Sequence, residues 1–128
     1  MRPELLWLLW SVLLTFAQML LAVSAATLQV GLPTLAGNRE NMPPLAGLAG
    51  RAQRAHHNML ESLVLFAALA LAATVAGKTN DMTLLGAQIF FWARLVYAFV
   101  YLAGIPWLRT GVWFVSVIGL AMIFLQLL

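Results

Sequence analysis

The sequence predicts an all-α integral membrane protein, a single bundle of four transmembrane helices. Two observations carry that reading. Of the 128 residues, 63% are hydrophobic and 9% charged, where a soluble domain carries about 25% charged residues. The apolar residues also fall into four long stretches, each near the roughly 20 residues that cross a hydrocarbon core. The length suits one domain, residues 1–128, with helices expected at about 4–29, 47–76, 82–103 and 106–128.

The first span contains the uncharged run Leu5 to Leu28. Val23-Ser24-Ala25-Ala26 looks like a small-residue cleavage site, but the run exceeds the about 7–15 residues of a signal h-region. It is therefore expected to be retained as a helix. A polar loop follows from Gln29 to about Leu45, marked by Pro33, Gly37, Asn38, Pro43 and Pro44. The second span starts basic and ends apolar, and Gly77-Lys78-Thr79-Asn80-Asp81 forms the turn after it. Arg94 is the only charge inside the third span. Gly104-Ile105-Pro106 then reverses the chain, with Gly past one helix end and Pro inside the next start. The fourth span carries Arg109 near its beginning and no charge beyond it.

Seven Lys and Arg stand against four Asp and Glu. This dispersed excess suits a basic membrane rim rather than a nucleic-acid partner. Arg39, Arg51, Arg54 and Arg109 gather at the first and third loops, against Arg2 and Lys78 on the other side. The positive-inside rule therefore makes those two loops cytoplasmic, with a bacterial inner membrane as the expected location. The chain has no cysteine, which excludes disulfides and a protein thiol nucleophile. His56 and His57 project about 100° apart on a helix, so no metal site is expected.

The second span places Arg51, Arg54, Asn58 and Glu61 within an arc of about 80°, with His56 on a different face. Ala67, Ala68, Ala70, Ala72 and Ala73 below them suit close helix contact. Arg94, Tyr97 and Tyr101 share a face of the third span. Glu61 and Arg94 are expected at similar depth, where an ion pair would relieve an intramembrane cost of about 2.5–3.5 kcal/mol per charge. Donors still outnumber that carboxylate, and the surplus suggests an anionic polar ligand. Arg109, in the first turn of the fourth span, adds a cation to a helix end already suited to anions. Trp7, Trp10, Trp107 and Trp113 read as interfacial or lipid-facing aromatics. A small four-helix exporter would need a carboxylate inside the first span, and Leu5–Leu28 carries none.

The segment Arg51-Ala52-Gln53-Arg54-Ala55-His56-His57-Asn58-Met59-Leu60-Glu61 resembles the second-helix signature of the MAPEG family, the membrane-associated proteins in eicosanoid and glutathione metabolism. Arg54, Ala55, Asn58 and Glu61 meet its Arg-Ala-x-x-Asn-x-x-Glu core. Ala93-Arg94-Leu95 followed by Tyr97 and Tyr101, then Arg109, is similar to the rest of the pattern, and the likeness extends to length and layout. The nearest branches are the bacterial members resembling microsomal glutathione transferase and prostaglandin E synthase. The resemblance implies a homotrimer with glutathione as cosubstrate, held between subunits by Arg54, His56, Asn58, Glu61, Arg94, Tyr97 and Tyr101. Arg51, Arg39 and Thr110 are further candidates, and Arg109 would be catalytic, stabilising the glutathione thiolate. The implied activity is a transferase or peroxidase acting on lipophilic small molecules dissolved in membrane lipid. The alternative is a non-catalytic lipid-binding or scaffold member of the same family.

Overall fold

A computed structural model describes residues 1–128. It is all-helical, in the order α1 (Pro3–Val30), α2 (Leu32–Ala36), α3 (Gly47–Val75), α4 (Asp81–Ala103) and α5 (Pro106–Leu127). Four of these are long and apolar enough to cross a membrane: α1, α3, α4 and α5. The chain is therefore a multi-pass integral membrane protein. The short α2 lies within the stretch that the sequence reads as loop. It begins after Gly31, whose φ of 86° turns the chain out of α1.

Local chemistry sets the helix ends. Pro3 and Pro106 each open a helix at a position that has no backbone partner to lose. Asn80 caps α4 through its side-chain oxygen, which accepts from the Met82 and Thr83 N–H groups. The Thr83 hydroxyl in turn accepts from the Asn80 N–H, completing a reciprocal box. Gly104 ends the helix with φ 76°, a left-handed conformation that costs glycine little.

α3 and α4 each pack against all three other spanning helices, whereas α1 and α5 do not meet. In lipid there is little hydrophobic drive between helices, so fit decides the packing. Phe66 and Phe90 stack at 4.4 Å between ring centroids, in a core that also holds Met59, Ala70, Ala73, Ala87, Leu120 and Ile123. Of the alanines in the apolar half of α3, Ala70 and Ala73 are buried, while Ala68 and Ala72 face outward. A close backbone approach lies elsewhere, between Gly86 on α4 and Gly119 on α5. A Cβ on Gly86 would stand 2.6 Å from the Gly119 carbonyl oxygen, and one on Gly119 would stand 2.7 Å from that of Gly86. Alanine at either position forces the two backbones apart.

α1 is apolar outside and polar inside. Leu9, Leu13, Phe16 and Leu20 are exposed, while Glu4, Ser11, Thr15, Gln18, Ala22 and Ala26 are buried. The Ser11 and Thr15 hydroxyls donate to the Trp7 and Ser11 carbonyls, which satisfies them within the helix. Because α1 starts at Pro3, it includes Glu4, which is 3% exposed and accepts from the Thr83 hydroxyl at 2.9 Å. The first helix thus carries a buried carboxylate at its very start, just before the uncharged run Leu5–Leu28, rather than at mid-membrane.

Candidate functional site

The polar residues converge where α3 begins, α4 ends and α5 begins. Arg94 is the deepest, 1% exposed on α4. Its Nη2 donates to Asn58 Oδ1 at 2.7 Å, and its guanidinium carbon stands 4.1 Å from the centroid of the Tyr97 ring. Its Nε and Nη1 are buried without a partner. The two tyrosines, one helical turn apart, meet edge to face at 5.6 Å. Arg54 Nε donates to the Tyr101 hydroxyl at 3.3 Å, and Arg109 covers the Tyr101 ring at 4.6 Å. Asn58, Tyr97, Arg109, Thr110 and Trp113 line a small cavity of about 180 Å³.

Charge imbalance is the main property of this cluster. Three guanidiniums, from Arg54, Arg94 and Arg109, surround two tyrosines and one asparagine. No carboxylate shares the hydrogen bonds. Buried N–H groups of a cation left without acceptors are costly, so the arrangement suits a ligand that brings its own negative charge. Bidentate capture of a carboxylate is the interaction that guanidiniums perform best.

The other predicted residues stand at varying distances from this cluster. Arg51 is half-buried and donates from Nε to the Leu102 carbonyl at 3.0 Å, tying α3 to the end of α4. Thr110 lines the cavity, with its hydroxyl donating to the Pro106 carbonyl at 3.2 Å. Glu61 is exposed, and the expected pair with Arg94 does not form. The reason is depth: Asn58, one turn nearer the start of α3, meets Arg94 first, and Glu61 sits at the edge of the stripe facing out of the bundle. His56 and Arg39 lie outside the cluster. Both line a second cavity, on the α1 side of α3, together with His57.

Two of the aromatics read as lipid-facing make contacts besides lipid, although Trp113 is 39% exposed as its reading requires. Trp113 walls the polar cavity, one turn along α5 from Arg109, and that i, i+4 spacing is the signal that could have found it. Trp7 stacks on Phe91 at 5.4 Å between α1 and α4. Trp107 is 87% exposed, in keeping with its reading.

No curated protein and no solved structure gives a match to this chain. The family model described as MAPEG family matches residues 5–128, nearly the whole chain, and so spans both polar stripes and all four crossing helices. The chain belongs to the MAPEG family.

Proposed function

We propose that the protein is a glutathione-dependent membrane enzyme, a transferase or peroxidase that presents the glutathione thiolate to lipophilic electrophiles. The observation that carries this reading is the acid-free grouping of Arg54, Arg94 and Arg109 around Asn58, Tyr97 and Tyr101, beside a small cavity that Arg109 lines. Glutathione is a tripeptide with two carboxylates and a thiol, and it supplies the acceptors these groups lack. Arg54 and Arg94 would hold carboxylates, with Asn58, Tyr97 and Tyr101 orienting them.

Arg109 faces the cavity from the first turn of α5 and stands nearest a thiol placed there. A free thiol has a pKa of about 8.5, and an adjacent cation lowers it toward neutrality. The thiolate sulfur then attacks the electrophilic carbon or oxygen of a substrate drawn from the bilayer. Its proton leaves to solvent. With a carbon electrophile the new C–S bond forms as the leaving group departs or the ring opens. With a hydroperoxide the O–O bond breaks, the alcohol leaves after taking a proton from solvent, and a second glutathione reduces the sulfenic acid to glutathione disulfide and water.

The cavity of about 180 Å³ falls below the usual range of about 300–1,000 Å³ for small-molecule sites. Glu61 is left uncovered a turn deeper. Both features are answered by a homotrimer in which a neighbouring copy closes the site and brings Glu61 against the ammonium group of glutathione. The arginine-rich loops would face the cytoplasm.

Calorimetry of glutathione with the purified protein, beside an Arg54→Ala variant, tests the reading. Saturable binding that the variant loses supports it; no heat from the native protein would falsify it. The second reading, a non-catalytic lipid-binding or scaffold protein, draws on the absence of any Arg or Lys inside the span of α1. Binding without turnover on any electrophile favours that alternative.

A further inference from the structure

A second cavity, with polar groups at its mouth, is separate from the cluster above. It has a volume of about 360 Å³ and lies between the second half of α1, the segment around α2, and the α1-facing side of α3. Its walls are apolar, formed chiefly by Met19, Ala22, Val23, Leu32 and Leu35. Its polar groups are Arg39, Gln53, His56 and His57, and no acidic residue lines it. The cavity therefore has an apolar body with hydrogen-bond donors and one fixed positive charge.

The level of this cavity in the membrane follows from helix length. α3 has 29 residues, about 44 Å at 1.5 Å per residue, against a core of about 30 Å. Roughly 20 residues counted back from Val75 reach His56. The same count forward from Pro3 along α1 reaches Ala22. Both helices thus place the cavity at the boundary between headgroups and acyl chains. Val23, 53% exposed, and the exposed Met19 leave its side open to lipid.

Arg39 is held there under strain. It is the one non-glycine residue with positive φ, at 63°, and its Nε is pinned to the Leu35 carbonyl at 2.7 Å. Such a conformation persists where the surroundings fix it, and it concentrates at ligand-binding positions. The Leu35 bond uses Nε alone, which leaves both terminal guanidinium nitrogens for a ligand. On the neighbouring wall, His56 Nδ1 is buried without a partner.

We infer that this cavity binds an anionic phospholipid of the surrounding leaflet, with one acyl chain between α1 and the α2 segment. The phosphate sits at Arg39 and His57, where several donors suit an anion with several oxygens. Room for one chain, a lateral opening and an interfacial level together fit a resident lipid better than a substrate arriving from water. The site uses a different face of α3 from Arg54 and Asn58 and does not depend on glutathione binding.

Native mass spectrometry of the full chain released from detergent tests this, using phosphatidylglycerol and phosphatidylcholine with identical chains and palmitate as a third ligand. Phosphatidylglycerol should bind at one molecule per chain, at least about tenfold tighter than phosphatidylcholine. Arg39→Gln should bring the two phospholipids to parity. Val23→Trp should weaken both, because it fills the chain-binding wall from an exposed position. His57→Gln serves in place of Arg39→Gln if the loop variant does not purify. Equal affinity for the two phospholipids, tighter binding of palmitate, or retention of phosphatidylglycerol by both the wall and the mouth variants would each overturn the assignment.

Discussion

The two ends of the bundle treat buried polar groups in opposite ways. Where α1 and α4 begin and α3 and α5 finish, polarity is internal bonding. Glu4 accepts from Thr83, Asn80 caps α4 and bonds Gln126, and Lys78 donates to the Leu127 carbonyl. One carboxylate oxygen of Glu4 is the orphan there. At the other end, Arg94 keeps two unpartnered N–H groups, and three cations meet without an acid. One end ties helices together with what the chain owns. The other holds donors that the chain itself cannot satisfy, which is why the proposed ligand is placed there.

That contrast can be broken from either side, and the largest effect should come from Arg109. With an activated aryl halide as electrophile, Arg109→Ala should lower kcat by about 10²–10³, the usual cost of removing one group that stabilises developing or resident negative charge. Glutathione affinity should fall much less, and the ultraviolet absorbance of the bound thiolate should disappear. An unchanged kcat would remove Arg109 from the chemistry.

Next in size is Arg94→Met, which fills the same space without charge. Glutathione binding should weaken about 10- to 100-fold by calorimetry, as expected for losing a charge-assisted contact. Thermal unfolding in detergent should shift little, because the variant also removes two buried N–H groups that lack partners. A large loss of stability with affinity intact would make Arg94 structural glue, like the far end.

Asn80→Ala sharpens the comparison from the other side. It should cost about 0.5–2 kcal/mol of stability through the lost helix cap, with glutathione affinity unchanged. Thr83→Val should cost a comparable amount, about 1–3 kcal/mol, because it strips the buried Glu4 carboxylate of its donor, again read by unfolding and again silent in binding. If either variant weakened glutathione binding, the two ends would be coupled and their separation into glue and site would fail.

Much of the candidate site is visible in helical spacing. Arg54 and Asn58 on one helix, Arg94, Tyr97 and Tyr101 on another, and Arg109 after the Gly104-Ile105-Pro106 turn all lie together as their angular positions require. Spacing along one helix does not state which rung of a neighbour it meets, so it points Arg94 toward Glu61, whereas its partner is Asn58. Nor does it separate two lines of residues that enter different cavities. His56 and Arg39 share a stretch of sequence with the cationic cluster yet face the α1 side. The buried polar face of α1 went unread because its outward face is so uniformly apolar.

The sequence alone determined four spanning helices, their order and turns, and the sign of the site. These follow from hydropathy over about 20 residues, from Gly and Pro at the chain reversals, and from an excess of arginine over acid, all local properties. Tertiary structure decided the depth at which helices meet, the direct backbone approach of Gly86 to Gly119, and the burial of Glu4 against Thr83. Those depend on the relative shift and rotation of neighbouring helices. In lipid these are set by the fit of side chains across an interface, which no single helix encodes.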